Sequence, residues 1–121
     1  MSRPKFATGH DDNHMIVRDY LRGVCGGYGV ITHGPHTAYK AWLRGVPIIA
    51  VDTSRIGGVF LDWLVCVDGL IALVEVKTEA AFRADKFEPG ERWTLLEFGP
   101  NATTVVVTDD DVAKLFDRLV K

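Results

Sequence analysis

Cysteine is scarce: only Cys25 and Cys66 occur, with no Cys-X-X-Cys pair and no zinc-like spacing to the four histidines. That argues against a disulfide framework or a structural zinc site, and free thiols in a reducing compartment are expected. No apolar run reaches membrane-spanning length, and the opening Met-Ser-Arg-Pro-Lys-Phe is not followed by the apolar core of a signal peptide. A cytoplasmic protein without a membrane partner is the expectation. An excess of positive charge is also lacking, with 14 Lys and Arg against 16 Asp and Glu. A formal net charge of −2 and a pI near 6.0 argue against coating nucleic acid by bulk charge. Repeats and low-complexity tracts are absent. Gly26-Gly27-Tyr28-Gly29 lacks the lysine and the strand-before-helix context of a phosphate loop, so it reads as a turn.

What is present suits one packed domain over residues 1–121, with 47% hydrophobic and 25% charged residues. That length supports a central sheet with a few covering helices, not two cores. Residues 1–10 form a polar arm in which Arg3 and Lys5 could meet a phosphate backbone. An N-cap at Asp11-Asp12-Asn13 and apolar residues at helical spacing predict a helix over residues 12–23. Residues 29–33 read as a strand, and residues 36–44 as a short helix ended by Gly45 and Pro47. Residues 46–52 read as a strand with Pro47 at its start, followed by a polar loop that carries Ser54 and Arg55. Residues 78–88 are a charged connection. Pro89 starts a helix whose apolar face is Trp93, Leu95, Leu96 and Phe98, with a stop at Gly99-Pro100. Residues 103–108 are a strand, and residues 109–121 are the cleanest helix, with aspartates in its first turn. The fold class is α/β, a central mixed β-sheet covered by helices on both faces.

The chain is organised around residues 57–79. Two runs rich in β-branched and aliphatic residues flank Asp68-Gly69, the pair suited to a type I′ turn, which predicts a β-hairpin. The turn sets the register: Val67 faces Leu70, Val65 faces Ala72, and Asp62 falls opposite Glu75 in a non-hydrogen-bonded pair. Lys77 lies on the same face by strand period. Both faces of the hairpin are otherwise apolar, which predicts central strands covered on both sides, with Cys66 pointing inward. Two carboxylates facing each other in such a sheet are costly unless a cation lies between them, and a divalent ion with Lys77 nearby would meet that need.

Asp62 with Glu75-Val76-Lys77 resembles the signature of the PD-(D/E)XK nuclease superfamily, with Leu61 in place of the family's proline. The later order of Glu-Val-Lys, polar loop, short Trp/Leu helix, Val-rich strand and aspartate-led helix resembles the VRR-NUC branch. Stand-alone domains of this size also resemble archaeal Holliday junction resolvases. The likeness covers about residues 57–119 well and the first third loosely. It implies a restriction-endonuclease-like core and a Mg²⁺- or Mn²⁺-dependent endonuclease acting on DNA, with branched or junction DNA as the structure-specific version. Asp62, Glu75 and the Val76 carbonyl are then the metal ligands, and Asp62, Glu75 and Lys77 the catalytic residues, Lys77 acting on water and phosphate. Family members often place an acid on the first helix, for which Asp12 and Asp19 are candidates. Glu91, or Gly90 with a one-residue slip, stands where VRR-NUC members usually carry glutamine. Arg55, Arg83 and Lys86 are candidates for contacting substrate. Junction resolution further requires a homodimer.

Competing readings remain open at this level. Glu-X-Lys also occurs at solvated strand ends, and a catalytically silent nuclease-like fold would serve as a nucleic-acid or protein binding module. His33 and His36 around Gly34-Pro35, and His10 with His14, lack the further ligands of a metal site. Trp42, Trp63 and Trp93 each fall in apolar patterns that read as core rather than as platforms for bases.

Overall fold

A computed structural model of the chain describes residues 13, 15–30 and 37–121. The N-terminal arm, Asp12, and the histidines His10, His14, His33 and His36 lie outside the described residues. In chain order the elements are α1 (Ile16–Gly23), β1 (Tyr28–Val30), β2 (Ala38–Leu43), β3 (Val46–Asp52), β4 (Trp63–Val67), β5 (Leu70–Val76), α2 (Glu79–Arg83), α3 (Pro89–Ala102), β6 (Thr103–Val106) and α4 (Asp109–Val120). The six strands form one sheet in sequential order, antiparallel except for the parallel β5–β6 pair, whose crossover carries α2 and α3. The chain is therefore α/β with a mixed sheet.

Two tight turns with the same chemistry fix most of the register. Asp68 and Gly69 both adopt positive φ, 46° and 81°, as a type I′ turn demands. The β4–β5 pairs Val67 with Leu70, Val65 with Ala72 and Trp63 with Val74 follow from it. Arg44 and Gly45, at 49° and 78°, make a second two-residue turn, so Leu43 pairs with Val46. This corrects the expected helix over residues 36–44. Tyr39, Ala41 and Leu43 alternate with outward Lys40 and Trp42, which is strand period rather than helical period. Pro47 is tolerated because the β3–β4 ladder begins one residue later, at Ile48 opposite Val67.

One face of the sheet holds the core. Ile48, Ala50, Trp63, Val65, Val67, Ala72, Val74 and Val76 pack there with Ile16, Val17 and Leu21 of α1 and Val112, Leu115, Phe116 and Leu119 of α4. Tyr20 and Phe116 stack at 5.2 Å between the two helices. A capping box starts α4: Thr108 accepts the Asp111 N–H, and Asp111 accepts the Thr108 N–H.

The second face is covered only in part, which corrects the expectation of a sheet sandwiched on both sides. There α3 lies against β5 and β6, while among the described residues no helix covers β2, β3 and β4. Ile49 and Ile71 are exposed, and Cys66, expected to point inward, is half-buried on this face. The apolar residues assigned to the buried side of α3 are displaced too. Trp93, Leu96 and Phe98 face solvent, and the residue that α3 buries is Thr94. Of the three tryptophans read as core only Trp63 is buried. The stop at Gly99 is present as a kink, with φ 69°, before a last turn that leads into β6. Among the described residues no helix is long and apolar enough to cross a membrane.

Candidate active site

Three pieces of chain meet where β4 begins and β5 ends. Asp62 lies immediately before β4. Its carbonyl accepts the Thr53 N–H at 2.8 Å, and Thr53, itself buried, donates its hydroxyl to the Leu61 carbonyl at 2.7 Å. In an uninterrupted hairpin Leu61 would pair with Val76, and its carbonyl would accept the Val76 N–H. Here the Asp62 carboxylate does so instead, with Oδ2 accepting from Val76 at 2.8 Å. The aspartate is thus tied to the strand that carries the glutamate.

Glu75 sits on the partly covered face at only 2% exposure. Burial, the Asp62 charge and the adjoining Glu91 push its carboxyl up to about 9, against the weaker opposing pull of Lys77. Without a bound cation Glu75 therefore holds a proton at neutral pH and shares it toward Glu91. Its Oε1 has no hydrogen-bond partner among the described residues.

Lys77 follows on the same face. Its Nζ lies 3.3 Å from Glu75 Oε2 and 3.0 Å from Glu91 Oε1, and 4.9 Å from the centre of the Phe87 ring. Its main chain is held on both sides: the N–H donates to Val106, and the carbonyl accepts from Asn13. Burial pulls the ammonium pKa down, yet the hydrogen bond to Glu91 and the two carboxylates outweigh it, so the net shift is upward. Lys77 is kept charged.

Glu91 comes from the first turn of α3. Burial raises its pKa, but the Glu88 N–H, the Glu75 proton and Lys77 together bring it below the usual carboxylate range. Its Oε1 accepts the Glu88 N–H at 2.9 Å, the reciprocal half of a capping box, and the same oxygen holds Lys77.

The structure brings together Asp62, Glu75, Val76, Lys77 and Glu91, and leaves the expected substrate contacts outside. Arg83 pairs with Glu79 at 2.6 Å on the surface of α2, and Arg55 and Lys86 are exposed without a resolved contact to the carboxylates. Asp19 pairs with Arg18 on α1. Sequence reasoning missed Asn13, Phe87 and the seating of α3. The Thr53 hydroxyl had no signal at all, whereas Glu88-Pro89-Gly90-Glu91 carries the spacing of a capping box.

Gly90 shows how tightly α3 is seated. A Cβ there would come within 2.1 Å of the Gly58 carbonyl oxygen, and Thr94 one turn later donates to the Val59 carbonyl. Gly90→Ala must push two backbones apart, and with them Glu91 from Lys77. We expect a loss of about 1–3 kcal/mol in urea unfolding. An unchanged midpoint would show that the contact is loose.

Among the described residues no three His, Cys, Asp or Glu side chains gather as a ready-made metal cluster. Two carboxylates with a main-chain carbonyl and waters would still suit a hard cation such as Mg²⁺, which commonly keeps several of its waters. The orphaned Glu75 Oε1 and the raised Glu75 pKa fit such an ion, since a buried carboxyl beside another carboxylate is the group that a cation would relieve. Comparison of the chain with protein-family models, with curated proteins and with solved structures finds no match.

Proposed function

We propose that the chain is a divalent-cation-dependent endonuclease that hydrolyses phosphodiester bonds of DNA on a restriction-endonuclease-like core. The observation that carries this reading is Glu75, buried with one oxygen unpartnered among the described residues and a strongly raised pKa beside Asp62 and Lys77. Asp62, Glu75 and the Val76 carbonyl would hold Mg²⁺ or Mn²⁺. Such an ion supplies charge neutralisation at the phosphate and an acidified water.

The chain's own residues do the rest. Lys77, fixed as an ammonium, stabilises the negative charge that builds on the phosphate in the transition state. In the metal-free chain, against the pull of burial, Glu91 and Glu75 raise its pKa and favour the ammonium, the form that electrostatic stabilisation requires. Glu91 and Phe87 hold the ammonium in place. With no surplus of positive charge, the chain binds its substrate weakly until the carboxylates are neutralised.

The test is cleavage of linear, flapped and four-way DNA across a Mg²⁺ and Mn²⁺ titration. Asp62→Asn is the better control than Asp62→Ala, because it keeps an acceptor for the Val76 N–H. Metal-dependent cleavage by the wild type, lost in Asp62→Asn, is the expected result. Binding without cleavage under every ion tried would overturn it in favour of a binding module.

A further inference from the structure

Two cations share the Phe87 ring. The Lys77 ammonium lies 4.9 Å from its centre and the Arg92 guanidinium 5.3 Å, so the two charges are at most about 10 Å apart. Lys77 belongs to the carboxylate site, and Arg92 follows Glu91 in α3, where its N–H donates to the Glu88 carbonyl at 3.0 Å. The connection out of α2 seats the arginine from the other side. Asp85 holds a positive φ of 55°, and the turn around it is fixed by the Asp85 N–H donating to Phe82 and the Lys86 N–H donating to Ala81. That turn aims the Asp85 carboxylate and carbonyl at one guanidinium nitrogen, Nη2, at 3.0 and 3.2 Å. Among the described residues the guanidinium bonds through Nη2, which leaves the N–H groups of Nε and Nη1 for a ligand. Both side chains of the pair are open to water, Arg92 at 45% and Asp85 at 71%. An ion pair so exposed contributes little and yields to a better anion.

We infer that Arg92 is a phosphate contact, binding the nucleic-acid backbone beside the phosphate that Lys77 meets, and that Asp85 keeps its guanidinium occupied in the free protein. The inference rests on the nuclease reading. A guanidinium suits the role because its planar fork takes two phosphate oxygens at once, where an ammonium acts as a point charge. The spacing suits it too. One strand presents a phosphate about every 3.4 Å of helix axis, so a cation within about 10 Å of Lys77 reaches a near neighbour of the reacting phosphate. Among the described residues Arg55, Arg83 and Lys86 share no partner with Lys77, whereas Arg92 shares a ring.

Fluorescence anisotropy of a labelled DNA duplex, titrated with the full chain in Ca²⁺ over a range of NaCl concentrations, tests it. Arg92→Gln should weaken binding about tenfold at low salt and make the plot of log Kd against log salt shallower by about 0.9, the loss of one phosphate contact. Arg92→Lys should keep the slope and recover part of the affinity. Asp85→Asn removes the competing carboxylate, and asparagine tolerates the left-handed backbone, so binding should tighten about two- to fivefold. The opposite signs separate a phosphate contact from a structural staple: if Arg92 and Asp85 only pinned the connection between α2 and α3, both substitutions would break the same pair and act alike. All three variants should keep the wild-type circular dichroism. An unchanged salt slope in Arg92→Gln, weaker binding by Asp85→Asn, or no binding by the wild type at any salt would each overturn the inference. Cleavage in Mg²⁺ by a wild type whose slope Arg92→Gln leaves unchanged would remove this contact and leave the nuclease reading intact. The expected slopes with no cleavage under any ion would remove the reaction and keep the contact.

Discussion

Lys77→Met is expected to lower single-turnover DNA cleavage at saturating metal on the order of a hundredfold or more, with the fold and metal binding retained. Methionine keeps most of the stem and its packing beside Phe87, and removes the charge that lies between Glu75 and Glu91. The loss should fall on turnover rather than on the metal midpoint, because in the proposed reaction the lysine would meet the phosphate and the carboxylates would hold the ion. A variant that cuts at the wild-type rate would leave Glu75-Val76-Lys77 as an accident of strand composition.

The second large effect is on stability, and it takes opposite signs with and without metal. In chelator, Glu75→Gln should be more stable than the wild type at pH 7.5, by on the order of 2–3 kcal/mol. The sign follows from the proton. Folded Glu75 keeps its proton up to about pH 9, whereas the unfolded side chain releases it near the ordinary carboxylate value. Between those values the folded state binds the extra proton, so wild-type stability falls as pH rises. Below pH 4 both states are protonated and the two proteins should melt together. Glutamine mimics the protonated form and has nothing to release on unfolding. With Mg²⁺ the order should change, since the wild type gains the ion's binding energy and the variant gains much less. Thermal melts at three pH values, each with and without Mg²⁺, measure all of this. Equal metal shifts in both proteins would put the ion elsewhere.

The hairpin was legible because its turn is dictated by two residues, and once Asp68-Gly69 is fixed the pairs from Val67/Leu70 to Trp63/Val74 are a matter of counting; the expected pairing of Asp62 with Glu75 lies beyond the ladder, where the Asp62 carboxylate takes the Val76 N–H instead. The same rule would have found the Arg44-Gly45 turn. The apolar residues at 38, 41, 42 and 43 fit a helical period over so short a span, and they outweighed a turn with a single glycine. Residues 89–102 were legible as a helix from Pro89 and the later Gly99-Pro100, while the face that it buries was not. That face is set by Gly90 and Thr94 meeting the 58–59 backbone some thirty residues earlier. Glu91 joined the site on family likeness, and its hold on Lys77 depends on that same docking. The protonation of Glu75 follows from burial, which exists only once the fold has formed.

The first turn of α3 carries a further meaning. One oxygen of Glu91 closes that turn through the Glu88 amide and also holds the Lys77 ammonium, so fraying of the helix end takes from the lysine its shorter carboxylate contact and leaves it to Glu75 and the Phe87 ring. The Glu88 amide hydrogen is thereby a local clock for the site. Its exchange protection reads out the free energy of the Glu91 contact that the amide shares with Lys77, without any substrate present.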